Sequence, residues 1–193
     1  MRLWVQLTLG ILVVMAAACG GEAPSTPATS EAPAAAPAPA GQGAILSDLV
    51  KDWQEQKDGL MKLADAMPED KFGFKSTPAQ RSYGEHIMHA ALVNVDLLKL
   101  LGGKATGPTF TADSVKTKAD IVAALAASYD YGTALLQEQT EATIAQSQEA
   151  SWLGSSTRAR MFWTLLSHSM DVYGQMVVYL RLNGIVPPAS RGA

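Results

Sequence analysis

Residues 168–188 read HSMDVYGQMVVYLRLNGIVPP and contain both a long helical pattern and its end. Apolar side chains recur there every three or four positions, which is the period of one face of an α-helix. The Asn-Gly pair and the Pro-Pro pair that follow are a strong helix stop, because glycine accepts the left-handed conformation and proline cannot continue a helix. The pattern extends back to a start near Ser155 or Ser156. Its predicted inward positions are Met161, Leu165, His168, Val172, Gln175, Tyr179 and Leu182.

Three further segments upstream have the same period. The first runs from Ala44 to a stop at Pro68. The second begins at Ser82, where Glu85 three residues later completes a capping box. The third begins in the stretch TKAD over residues 117–120, with Thr117 as its predicted N-cap. Their predicted inward positions are Leu46, Leu49, Trp53, Gln56, Leu60, Leu63 and Met67 in the first, Ser82, His86, His89, Val93, Leu97 and Leu100 in the second, and Ile121, Val122, Leu125, Tyr129, Gly132, Leu135 and Leu136 in the third.

Four long helices over about 150 residues predict an all-α fold, a four-helix bundle. Residues 140–155 are polar and small, and we expect an irregular connection there, since no alternating β segment of useful length is present. The aromatic residues Trp53, Trp163, Tyr129 and Tyr179 fall at helical spacing and are predicted to lie in the core. Phe72 and Phe74, between the first two helices, are predicted to point inward.

The N-terminus differs in composition from the rest of the chain. Arg2 precedes an apolar stretch, and residues 15–20 read MAAACG, which resembles a bacterial lipoprotein signal. The resemblance implies a signal peptide over 1–18, lipidation of Cys19 and a membrane anchor in the cell envelope. Gly20 after the cysteine favours the outer membrane where a cell has two membranes. Residues 19–43 form an Ala/Pro-rich segment with too little apolar surface to fold, and we predict a disordered tether. The domain is therefore expected at 44–193.

Composition excludes several classes of protein. The 193-residue chain has a net charge of −3 and one cysteine. A near-neutral, slightly acidic chain lacks the basic face that nucleic-acid binding requires. A single cysteine excludes an intramolecular disulfide and a cysteine-based zinc finger.

The three histidines of the chain, His86, His89 and His168, all fall on or near inward stripes. Neutral imidazole is the commonest metal ligand among side chains, and a catalytic zinc site uses three protein ligands and an open position. Asp96 and Asp171 lie nearby, so the sequence provides enough candidate ligands for a metal site. The same spacing also suits hydrogen-bonded core histidines, and His86 and His89 are three apart, so both cannot point fully at one centre.

The stretch RSYGEHIMHA over residues 81–90, together with the tail at 168–188, resembles the DinB-like superfamily. The resemblance covers roughly 45–190 and implies an up-down-down-up bundle, in a family that includes metal-dependent hydrolases and thiol transferases. That family's metal site takes one histidine from the second helix and two from the last, spaced His-x3-His. His89 and His168 match the first two positions, but Val172 stands at the third.

Valine has no ligand atom, so the resemblance implies a degenerate site unless His86 or Asp96 substitutes in an altered geometry. Gln175 would then be a buried hydrogen-bonding residue. The function we expect is non-catalytic binding of a small ligand or a protein partner. The alternative is a metal-dependent hydrolase or transferase using Zn²⁺, Ni²⁺ or another divalent ion, although export argues against thiol chemistry that is chiefly cytosolic. Related bundles often pair, which implies a homodimer.

Overall fold

The computed structural model describes residues 43–114, 116–150 and 153–192. The predicted signal peptide, Cys19 and the tether as far as residue 42 lie outside these residues. Within the described part of the chain, no helix is both long and apolar enough to span a membrane.

Four long helices and a short helix-hairpin insert make up the fold. The helices are α1 (Ala44–Ala66), α2 (Tyr83–Leu101), α3 (Lys118–Gln137), α4 (Glu141–Ile144) and α5 (Arg158–Leu182), and the strands are β1 (Ser147–Ala150) and β2 (Gly154–Thr157). Single 3₁₀ turns lie at Glu69–Lys71 and Pro188–Ser190. Helix α2 packs on α3 and α5, and α1 packs on the same two helices, so α1 and α2 occupy opposite corners of a four-helix bundle. The predicted all-α bundle is confirmed.

Contacts between the helices give their directions. Trp53 in α1 contacts Tyr129, whereas Lys118 at the start of α3 donates to the carbonyl of Met67 just after the end of α1, so α1 and α3 are antiparallel. Asn94 of α2 donates to Ser128, and the α2 start lies beside Ile121, so α2 and α3 are parallel. Helix α5 runs against α2, since its last turns meet the first turn of α2. The order is therefore up-down-down-up.

Side-chain caps fix where α2 and α3 begin, as the sequence predicts. Ser82 Oγ accepts from the Glu85 amide at 3.2 Å, and Glu85 Oε2 accepts from the Ser82 amide at 2.6 Å. Thr117 and Asp120 form the same reciprocal pair at α3. Helix α2 ends at Gly102, which has a φ of 62°. These caps satisfy amides that would otherwise lack partners at the helix starts.

The core centres on Trp53, which packs against Tyr129 and Phe162 from the two neighbouring helices. Its indole Nε1 donates to the Tyr129 carbonyl at 3.0 Å. Gly132 lies directly against the indole, and a Cβ there would overlap the ring. The buried core residues run from Leu46 to Leu180, so a fragment of residues 44–193 contains the whole described core and is expected to fold by itself.

Three predicted core residues lie at the surface instead. Trp163 is 65% exposed, Leu182 is 58% exposed and Leu100 is also exposed. Helices α2 and α5 carry apolar residues on more than one face, and the face that is buried includes Tyr83, Ile87, Asn94, Leu98, Phe162, Ser169 and Met176, which the predicted stripes omit. Trp163 and Met170 line an open cleft of about 770 Å³ between α1 and α5.

The expectation of an irregular connection over 140–155 is wrong. The segment contains α4, capped by Thr140, and an antiparallel hairpin in which Ser147 pairs with Thr157 and Ala150 with Gly154. Helix α5 begins at Arg158 with Thr157 as its N-cap, after the predicted start. Elements of four residues are too short to show a hydrophobic period, which explains why the pattern did not reveal them.

Candidate functional site

The antiparallel packing of α2 and α5 brings His89 and His168 together. Their Nε2 atoms are 3.2 Å apart, and the rings meet edge to face with centroids 5.0 Å apart. Both side chains are half-buried. One ring must donate and the other accept, so the contact is a hydrogen bond between neutral imidazoles in opposite tautomeric roles.

His86 lies one turn before this pair and has a different partner. It is buried, and its Nε2 lies 3.4 Å from the Tyr179 hydroxyl, with the two rings edge to face. The Tyr179 hydroxyl donates to the Arg81 carbonyl at 2.8 Å and accepts from Ser76 Oγ at 3.1 Å. Tyr179 therefore joins α5 to the segment that precedes α2. The sequence indicated Tyr179 only as a core residue.

Val172 occupies the position one turn after His168 and is 2% exposed. The carboxylates that the sequence offered as extra ligands are elsewhere: Asp96 is exposed, and Asp171 is exposed and accepts from Gln175 Nε2 at 2.8 Å. The prediction that Gln175 is a buried hydrogen-bonding residue is wrong, since it is half-exposed and bonded to its own helix. Gln175 lies at the edge of the buried face of α5, because that face contains Val172 and Met176.

The surroundings favour the neutral form of all three histidines. Burial lowers the pKa of His86 and His89 below the usual histidine value, and the positive charge of Arg81 lowers both further. Burial also lowers the pKa of His168, where the Asp171 carboxylate opposes the effect and Arg81 adds to it. Low dielectric and a nearby cation both disfavour an imidazolium ion.

The residues present do not fit the three-histidine metal site that the resemblance implies. The 3.2 Å separation would suit two nitrogens on one ion at about 2.0–2.1 Å, with an angle near 100°. However, the third position is an aliphatic side chain, and no group of three or more His, Cys, Asp or Glu side chains arranged for a metal occurs among the described residues. His168 Nδ1 is also buried with no described partner, whereas a ligating histidine normally donates its other N–H to one.

A cleft of about 690 Å³ opens beside His89, between α2, the segment before it and the start of α3. Arg81 and Lys75 lie on one side of it. Its apolar wall consists of Met88 and Leu92 from α2 and Ile121 from α3. A cleft of this size with a few polar groups is typical of small-ligand sites.

A second polar cluster lies deeper in the bundle, and it was not identified from the sequence. Asn94 Nδ2 donates to Ser128 Oγ at 3.2 Å, and the Tyr129 hydroxyl donates to Ser169 Oγ at 2.8 Å. Burial raises the pKa of Tyr129 to about 12, so its hydroxyl stays a donor. Asn94 and Ser169 lie on the faces of α2 and α5 that are buried. A correct assignment of those faces from the sequence would have revealed the cluster.

The model of the DinB family matches residues 42–192, which is most of the chain. The chain belongs to the DinB family. Solved structures agree with this fold: a DinB-like protein from Bacillus cereus has 19% sequence identity and a TM-score of 0.65, covering 72% of this chain and 93% of its own. A DinB-like protein from Bacillus subtilis has 16% identity and a TM-score of 0.57, covering 71% and 92%. No curated protein matches the sequence. At these sequence identities, the similarity to the solved structures shows a shared fold alone.

Proposed function

We propose that this DinB-family chain is a non-catalytic binding protein of the cell envelope, whose histidine pair is the remnant of a metal centre. The observation that carries the proposal is the buried Val172 side chain at the third ligand position. An aliphatic side chain offers no lone pair to a metal ion. The cleft beside His89 is the place where a small ligand would bind.

The state of His168 supports the same proposal. A metal ligand is held in one tautomer by a partner on its second ring nitrogen, and that partner is absent among the described residues. The Nε2 atoms of His89 and His168 instead satisfy each other. The Arg81 charge near both rings also opposes the approach of a cation.

One observation favours the alternative, a divalent-metal-dependent hydrolase or transferase. The two Nε2 atoms are already at the separation that Zn²⁺ or Ni²⁺ would impose on two imidazoles. Water would have to fill the remaining positions. Affinity from two neutral ligands would be low, and the ion would exchange readily.

Envelope attachment and self-association belong to the proposal as well. The MAAACG box supports export and lipidation at Cys19, with the outer membrane favoured by Gly20. A homodimer would have a surface to use, since exposed Trp163 and Met170 line the cleft between α1 and α5. An apolar patch of this kind is a frequent feature of protein interfaces.

Metal counting after equilibrium dialysis tests the proposal. The untagged 44–193 fragment is loaded with Zn²⁺, Ni²⁺ or Mn²⁺, dialysed and assayed for metal per chain, beside His168→Ala. We expect far less than one ion per chain and no difference between the two proteins. Near-stoichiometric metal that disappears in His168→Ala would establish the metal-dependent alternative instead.

A further inference from the structure

Arg81 is a positioned cation without a counter-ion. It immediately precedes the α2 cap residue, and its carbonyl is held by the Tyr179 hydroxyl. No Asp or Glu in the described part of the chain lies within ion-pair distance of its guanidinium. The other cation of the same cleft, Lys75, is paired with Glu85 at 3.4 Å. An exposed guanidinium can therefore serve a ligand at no cost to an existing ion pair.

The Arg81 charge acts on the cleft and on the histidines behind it. Arg81 lines the same cleft as His89, and its positive charge disfavours an imidazolium ion at His86, His89 and His168. A negative group between Arg81 and His89 would therefore lie next to a guanidinium that has no ion-pair partner among the described residues.

The other residues that line the cleft indicate the polarity and charge of the rest of the ligand. Met88 and Leu92 on α2 and Ile121 on α3 form an apolar surface beside the polar end. Asp113, which also lines the cleft, and Glu85, which pairs with Lys75, would repel a second negative charge. A ligand that matches both ends has one anionic group and an apolar body.

We propose that the cleft between Arg81 and Ile121 binds a small monoanion with an apolar body, such as an aromatic or branched carboxylate. The guanidinium holds the carboxylate through two parallel N–H donors, a geometry that an ammonium group cannot reproduce. The apolar body lies against Met88 and Leu92. This inference rests on the proposed function, because it assumes that the cleft serves a ligand and not a metal-bound reaction.

The test is an NMR titration of the ¹⁵N-labelled 44–193 fragment with benzoate, and with benzamide as the neutral match. We expect benzoate to shift the amides of Arg81, Met88, Leu92 and Ile121, and to bind at least about tenfold more tightly than benzamide. Acetate and inorganic phosphate should bind more weakly than benzoate, the first for lack of an apolar body and the second for its extra charge.

Variants locate the effect. Arg81→Gln should weaken benzoate at least about tenfold, Arg81→Lys should recover part of the affinity, and Arg191→Gln at the far C-terminus should leave it unchanged. Equal binding of benzoate and benzamide, absence of binding by benzoate, or an unaffected Arg81→Gln variant would each overturn the inference. None of these results depends on metal content, so the dialysis experiment decides the proposed function separately.

Discussion

Val172→His should convert the histidine pair into a three-histidine metal site. Position 172 follows His168 by one helical turn, so its Cβ lies about 6 Å away on the same face of α5. His89 and His168 already present their Nε2 atoms 3.2 Å apart. The substitution would supply the third histidine that the resemblance to the DinB-like superfamily implies at this position.

The variant should be less stable than the parent without metal and should recover with it. Val172 is buried, and an unpaired imidazole there costs about 1–3 kcal/mol. At about 2–4 °C per kcal/mol for a bundle of this size, the midpoint should fall by about 2–12 °C. If a third nitrogen brings the Zn²⁺ dissociation constant to about 1 µM, then about 100 µM Zn²⁺ restores close to 2.7 kcal/mol.

Thermal unfolding of the 44–193 fragment with Zn²⁺ or with a chelator measures both effects. Val172→Ala is the matched control, since it also disturbs the core but should show no response to Zn²⁺. Adding His168→Ala to Val172→His should abolish the response. If Val172→His unfolds at the same temperature with and without Zn²⁺, then position 172 is not the third ligand position and the reasoning about α5 fails.

Three further predictions concern stability, measured by urea denaturation. The pKa values of the three histidines are lower in the folded than in the unfolded chain, so below about pH 6.5 the unfolded chain binds more protons. The free energy of unfolding should therefore decrease from pH 7 to pH 5. His168→Gln should flatten that dependence on pH, and an unchanged slope would contradict the assignment. Tyr179→Phe should cost about 1–2 kcal/mol through loss of its hydroxyl bonds, whereas Tyr173→Phe should change little. Trp163→Gln should change the free energy of unfolding by no more than about 0.5 kcal/mol, while Trp53→Ala should lower it by about 3–5 kcal/mol. Similar losses in the two variants would contradict the exposed position of Trp163 and the buried position of Trp53.

Local chemistry explains which parts of the fold the sequence predicts. The starts of α2 and α3 follow from Ser82 with Glu85 and from Thr117 with Asp120, because a capping box is complete within four residues. The end of α5 follows from Gly184, whose φ is 72°. These features need no information from the rest of the chain.

The rotation of a helix about its axis depends on its neighbours, and here the sequence was less informative. Trp163 and Leu165 are equally apolar, but only Leu165 faces the other helices. For the site, the sequence indicated His89 and His168, and they do meet. It could not indicate that Tyr179 would hold Arg81, because that contact joins residues 98 positions apart and leaves no local pattern.

The same long-range contacts have a consequence for how the protein is made. His89 meets His168 across 79 residues, and Ser76 meets Tyr179 across 103. Closing loops of this length costs entropy before any contact is gained, so we expect the site to assemble late in folding. A chain still emerging from the ribosome has α2 without α5, and so lacks the Tyr179 hydroxyl that holds the Arg81 carbonyl beside the cleft. Tight ligand binding is thereby restricted to the finished molecule, in which α5 holds the backbone at Arg81 in place.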